Sequence, residues 1–98
     1  MGIGDLMKLL CKQVNDNETY WRITSVFTML RMMGENSRLS AEELSKKKHE
    51  VKAVDKIIRA IDKRREEAND CEKDITYKLF MRILKEKGLR STYVNIVK

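Results

Sequence analysis

The sequence predicts an all-α fold, a compact bundle of four helices, for three reasons. The 98 residues contain no proline and only four glycines, so few positions are expected to interrupt a helix. Lys, Glu, Leu, Ile and Met dominate the chain, and most of them are good helix formers. Apolar residues also recur at the spacing of one helix face. The length suits a single helical domain, residues 1–98, with one core.

The first two predicted helices carry much of the apolar sequence. The first spans about Asp5 to Val14, with apolar residues along one face. The second spans about Glu18 to Met33 and is apolar around most of its circumference, which predicts the most buried element. Gly34 stands where a left-handed C-terminal cap belongs. Two such apolar helices show more surface than a single partner helix covers, so we expect a homodimer.

The third and fourth helices have clear start and stop signals. Ser40 and Glu43 form a capping box, and neither glycine nor proline follows before Ala68. One continuous third helix would be about 40 Å long, with an exposed N-terminal part. The fourth spans about Ile75 to Lys87 and ends at Gly88. The β-branched residues in 91–98 favour a strand, an extended arm or a flexible tail.

Positive charge is concentrated in one segment of the predicted third helix. The stretch "SKKKHEVKAVDKIIRAIDKRR", Ser45 to Arg65, contains nine Lys and Arg residues but only three acids, a net charge of +6. The whole chain also carries +6, so the rest is neutral. Such concentration on a long amphipathic helix is typical of a surface that contacts a polyanion.

A helical wheel places five of these cations within an arc of about 80°, opposite the apolar residues. We name them the basic stripe: Lys48, Lys52, Lys56, Arg59 and Lys63. The residues expected to give flanking support are Lys46, Lys47, Arg64 and Arg65. The sequence predicts that the stripe lacks i, i+4 acidic partners on its own face. It therefore indicates a nucleic-acid-binding protein that contacts RNA or DNA phosphates with low sequence specificity.

The same charge pattern also fits other interpretations. A protein–protein interaction adaptor or regulator could dock its basic helix on an acidic partner, and a lysine-rich face can simply be solvated. Membrane-surface binding is disfavoured, because the opposite face of this helix is needed for the core. No apolar run approaches the roughly 20 residues that span a bilayer, so no membrane partner is expected.

The segment "FTMLRMMGENSRLSAEELSKKKHEVKAVDKIIRAID" resembles a helix-turn-helix motif over about 35 residues. The resemblance implies a break near Lys47–Glu50 and a recognition helix from Val51 to Ile61. It departs from the motif at the turn, which usually carries glycine and here has the sequence "KKKH". Because Lys46 to Glu50 are all acceptable helix residues, we favour one continuous helix.

Features of a catalytic or metal site are absent from the sequence. No phosphate-binding or nucleophile motif occurs, and the single histidine, His49, stands in a lysine run. We therefore expect neither an enzyme nor a cofactor or metal site. Cys11 and Cys71 lack metal-ligand spacing, and no stretch resembles a signal peptide. These features predict reduced cysteines and an intracellular location, cytoplasmic or nuclear.

Overall fold

The computed structural model describes residues 2–35, 38–68 and 76–98, and this part of the chain folds into five α-helices without strands. The helices are α1 Ile3–Val14, α2 Asn17–Gly34, α3 Ala41–Glu67, α4 Thr76–Glu86 and α5 Arg90–Val97. The fold is compact, with a radius of gyration of 13.7 Å. The all-α prediction is confirmed, but the predicted number of four helices is one too low. None of the described helices is both long and apolar enough to cross a membrane.

The additional helix, α5, occupies the segment for which the sequence favoured an extended or flexible tail. Gly88, at φ +72°, lets the chain reverse after α4. The amides of Gly88 and Leu89 donate to the carbonyls of Lys85 and Leu84 at 3.1 and 2.8 Å, a Schellman motif. The reversal buries Leu89 and Tyr93 in the core. That burial outweighs the strand propensity of the β-branched residues.

The core is a contact between inner faces of all five helices. Its aromatic centre joins α2, α4 and α5: the Phe27 and Phe80 rings stack at 5.4 Å, and Tyr93 meets Phe80 edge-on at 5.3 Å. Around this centre α2 buries only one face, which consists of Ile23, Val26, Phe27 and Leu30. The prediction that α2 is the most buried element is therefore wrong: α2 buries four of its 18 residues, whereas α4 buries five of its 11.

Helix α3 is continuous from Ala41 to Glu67, so the structure contains no helix-turn-helix break at Lys47–Glu50. Its N-cap is Ser40, whose hydroxyl oxygen accepts the Glu43 amide at 3.1 Å. The buried residues of α3 are Val51, Val54, Ile58 and Ile61. The first ten residues of the helix bury no side chain. The N-terminal part of α3 is therefore exposed, as the sequence predicted.

Asp62 on α3 caps the N-terminus of α4. Its two carboxylate oxygens accept the backbone amides of Thr76 and Tyr77 at 2.5 and 2.9 Å. Next to this cap, Arg65 donates to the Thr76 hydroxyl at 3.1 Å. The first amides of a helix lack partners within the helix, and a carboxylate there also interacts favourably with the helix dipole. One α3 side chain therefore fixes where α4 begins.

A second carboxylate of α3 holds α5. The buried Tyr93 hydroxyl donates to Asp55 Oδ1, while Asp55 Oδ2 accepts Arg59 Nε at 3.0 Å. Burial of the phenol, followed by the hydrogen bond to Asp55, raises the pKa of Tyr93 above its usual value. The folded chain therefore keeps this proton at pH values at which an unfolded tyrosine would lose it.

The cap at α4 predicts a specific loss of stability. Asp62→Ala should lower the free energy of unfolding by about 1–2 kcal/mol, because two amides lose their acceptor. Urea denaturation followed by circular dichroism measures this change. The control is Lys63→Ala at the neighbouring exposed position, which should change stability by less than about 0.5 kcal/mol. Equal effects of the two substitutions would contradict the capping role of Asp62.

The Tyr93 contact predicts a pH dependence at alkaline pH. A phenol whose folded-state pKa is raised contributes stability that is complete below the unfolded pKa of 10.0 and declines as the pH rises above it. The free energy of unfolding should therefore fall above about pH 10 more steeply in the wild type than in Tyr93→Phe. Urea titrations of both proteins from neutral to alkaline pH test this. Parallel curves would show that Tyr93 ionises as it does in the unfolded chain.

Candidate nucleic-acid interface

Four lysines of the basic stripe, Lys48, Lys52, Lys56 and Lys63, are exposed on α3. They lie on the side of the helix away from Val54 and Ile58, as the wheel predicts. None of the four forms an ion pair with any residue in 2–35, 38–68 or 76–98. At 1.5 Å per residue the four lysines extend over about 22 Å of α3. The helix thus presents a line of uncompensated positive charge.

Arg59, the fifth stripe residue, is partly neutralised. Its Nε donates to Asp55 at 3.0 Å, and its guanidinium lies 4.6 Å from the centre of the Tyr77 ring. The hydrogen bond to Asp55 and the charge of that carboxylate raise the pKa of Arg59. The prediction that the stripe lacks i, i+4 acidic partners on its own face is therefore wrong for Arg59. Asp55 stands four residues before Arg59 and lies just outside the arc, close enough for the pair to form.

The four flanking cations do not extend the stripe as one surface. Lys46 lies 3.4 Å from Glu42, and both side chains are highly exposed. Lys47 and Arg65 are half-buried, and Arg65 contacts Thr76 of α4. Arg64 is exposed and contributes to a groove of about 400 Å³ beside the α1–α2 turn. Because 46, 47, 64 and 65 fall outside the arc of the stripe, their charges point to other sides of α3.

The three acidic residues between Ser45 and Arg65 contact groups on other helices. Glu50 pairs with Arg22 of α2, where Nε meets Oε1 at 2.5 Å and Nη2 meets Oε2 at 3.3 Å. This contact raises the pKa of Arg22, mainly through the hydrogen bond to Glu50. Asp55 and Asp62 hold Tyr93 of α5 and the N-terminus of α4. These three carboxylates are therefore engaged between helices and leave the lysines of the stripe uncompensated.

The N-terminal half of the stripe borders a groove of about 600 Å³ between α2, α3 and α5. Lys48 and Lys52 line one side, and Thr92, Asn95 and Lys98 line the other. Lys98 is a groove cation that the sequence analysis missed. The spacing of residues 92, 95 and 98 would place them on one face of a helix. This spacing was not used for a prediction, because the segment was expected to be an extended or flexible tail.

Helix C-termini lie near both ends of the stripe. The groove beside Lys48 and Lys52 is bordered by the C-terminal ends of α2 and α5, and Lys63 lies four residues before the end of α3. Helix C-termini carry partial negative charge, which interacts favourably with nearby lysines. These helix ends therefore offset part of the repulsion among the cations of the stripe.

Metal-binding groups are not assembled in the part of the chain that the structure describes, where no cluster of three His, Cys, Asp or Glu side chains could hold an ion. His49 is exposed in a shallow groove with Lys48 and Lys52. Cys11 is a half-buried free thiol. Cys71 lies outside the described residues. The ionisable side chains that cluster on one surface are the lysines of the basic stripe.

No protein-family model matches the chain, and neither a curated protein nor a solved structure matches it.

The contrast between Lys52 and Arg59 predicts opposite effects on stability. Lys52→Gln removes repulsion from Lys48 and Lys56, one turn away on either side, and should stabilise the fold by up to about 0.3 kcal/mol at low salt. Arg59→Gln removes the contacts with Asp55 and Tyr77 and should destabilise it by about 0.5 kcal/mol. Urea denaturation at low ionic strength measures both. Changes of the same sign would contradict the finding that Lys52 is unpaired in the described part of the chain whereas Arg59 is paired with Asp55.

Proposed function

We propose that this protein is a non-enzymatic binder of RNA or DNA, which contacts the phosphate backbone through the basic stripe of α3. One observation carries the proposal: four lysines follow each other along one face of α3 without an acidic partner in the described part of the chain. Nearby carboxylates exist, but Glu50, Asp55 and Asp62 contact other helices. A nucleic acid supplies the missing negative charge.

A phosphate backbone suits this arrangement for a physical reason. Like charges one helical turn apart repel each other, and an extended polyanion can neutralise several of them at once. Lysine is a flexible point charge with no fixed fork of donors, so it contacts phosphates without reading base edges. Binding should therefore tolerate many sequences and weaken steeply with salt. Such a ligand is consistent with the cytoplasmic or nuclear location that the sequence predicts.

A second candidate function is supported by the groove between α2, α3 and α5. Beside Lys48 and Lys52 its lining includes the apolar side chains of Met33, Leu44 and Ile96. A mixed apolar and basic groove can accept an acidic amphipathic segment of another protein. In that case the chain would be an adaptor or regulator, and an acidic polypeptide would bind better than a nucleic acid of equal charge.

The decisive experiment changes two stripe lysines and compares them with two lysines elsewhere. Lys52→Glu/Lys56→Glu should weaken binding of random-sequence RNA and DNA at least about tenfold, because two phosphate contacts become repulsive. Lys8→Glu/Lys78→Glu is the matched control, since both residues are exposed on α1 and α4. Each variant lowers the net charge from +6 to +2, because every exchange removes two charge units. Filter binding measures the affinities, and circular dichroism verifies folding.

The salt dependence of the binding constant reports the number of lysine–phosphate contacts. Four lysine–phosphate contacts predict a slope of about −3.6 in log K against log salt, so affinity should fall about 100-fold from about 50 to about 200 mM salt. The stripe variant should retain about half that slope, and the control variant the whole of it. Equal affinity of the two variants would show that the basic stripe is not the nucleic-acid interface. Binding of poly-glutamate in preference to RNA, single-stranded DNA and duplex DNA would favour the adaptor.

A further inference from the structure

Arg59 differs from the other cations of the basic stripe because its side chain is held in place. Its Nε donates to Asp55 Oδ2 at 3.0 Å, and Asp55 Oδ1 accepts the hydroxyl of the fully buried Tyr93. The side chain of Asp55 is itself largely covered and only 13% exposed. The guanidinium is thus fixed to the core through Asp55, whereas no ion pair fixes the four stripe lysines in the described part of the chain.

Tyr77 of α4 supports the guanidinium from one side. Cζ of Arg59 lies 4.6 Å from the centre of the Tyr77 ring, and this ring packs partly against the core. The Arg59 side chain nevertheless stays 60% exposed. Its Nη1 and Nη2 atoms have no hydrogen-bond partner among residues 2–35, 38–68 and 76–98. The guanidinium therefore rests on Tyr77 and leaves much of its surface to solvent.

The pairing with Asp55 changes what Arg59 can offer a nucleic acid. The negative charge of the carboxylate offsets the positive charge of the guanidinium, so its attraction for a phosphate is weaker than that of a free cation. A guanidinium is also flat, delocalised and weakly hydrated, which suits it to stacking on an aromatic ring. Because the folded chain already orders the side chain, a ring that stacks on it costs little additional side-chain entropy.

We propose that the guanidinium of Arg59, packed against Tyr77, is a stacking site for one unpaired base of a single-stranded nucleic acid. This inference rests on the proposed function, since the backbone of the same strand would contact the stripe lysines. Lys56 stands three residues before Arg59 and Lys63 four residues after it, about one helical turn on either side. The phosphates on both sides of the stacked base would each have a lysine within reach.

An unpaired base is the part of a nucleic acid that this site fits. In a duplex each base is covered by its neighbours, whereas the bases of a single strand can be splayed out onto an arginine plane or an aromatic ring. Every base has a π-face, so a single stacking site adds affinity without selecting a sequence. The site therefore agrees with the low sequence specificity expected of the lysines.

A purely structural role for Arg59 makes a different prediction. As the counter-ion of Asp55, Arg59 needs only a positive charge, which Arg59→Lys would supply. Arg59→Lys keeps the net charge of +6 but removes the planar surface. This substitution therefore separates a counter-ion from a stacking site.

The test compares a single strand of mixed sequence with an abasic strand of the same length, which has the same phosphates but no bases. In filter binding at low salt, the wild type should bind the strand with bases about tenfold more tightly. Arg59→Lys should bind the two strands within about twofold of each other and should bind the abasic strand as the wild type does. Strands made as RNA and as DNA show which of the two supplies the base.

Tyr77→Leu is the second variant, because it removes the ring beside the guanidinium and keeps an apolar side chain on the core. It should lose the preference for bases as Arg59→Lys does. The matched control is Tyr20→Leu, which changes a half-buried tyrosine of α2 that also packs against the core and should keep the preference. Circular dichroism verifies that all three variants fold.

The outcomes distinguish this inference from the proposed function. Equal binding of both strands by the wild type would overturn the stacking site and leave the basic stripe as a phosphate-binding surface. An undiminished preference for bases in Arg59→Lys would overturn it in the same way. Failure of the wild type to bind either strand would overturn both proposals.

Discussion

Three carboxylates of α3 connect it to α2, α4 and α5, and the orientation of α3 in the bundle depends on these contacts together with its apolar face. Glu50 pairs with Arg22 of α2, Asp55 accepts the Tyr93 hydroxyl of α5, and Asp62 caps α4. Each contact joins a side chain of α3 to a group on a different helix. Since buried or half-buried polar groups need partners, the contacts fix the rotation of α3 about its own axis. That rotation decides which of its residues remain in water.

The same contacts explain the charge of the molecule. In an isolated amphipathic helix, acids and bases one turn apart would neutralise each other. Here Asp55 accepts hydrogen bonds from both Tyr93 and Arg59, and the four lysines of the basic stripe have no carboxylate partner in the described part of the chain. Repulsion among the lysines costs stability, which the apolar contacts of Val51, Val54, Ile58 and Ile61 offset. The core and the proposed binding surface are therefore opposite sides of one helix.

The basic stripe of α3 and the core of the bundle differ in physical character. The stripe acts through charge, so its affinity for a polyanion depends on ionic conditions. The core acts through buried apolar area, which salt screens little. Salt at moderate concentration should therefore weaken binding by the stripe without unfolding the protein.

The sequence by itself determined the all-helical class, the Ser40 cap, the left-handed Gly88 after α4, the core residues of α3 and the line of lysines. These follow from local spacing and capping chemistry, which act within a few residues. Only the tertiary structure decided that 90–97 forms a helix and that the outer face of α2 stays exposed. Each of these depends on which distant residue lies alongside: Tyr93 meets Phe80 and Asp55, and α2 buries one face. Local periodicity shows that a helix has an apolar face, but only packing determines how much of it is covered.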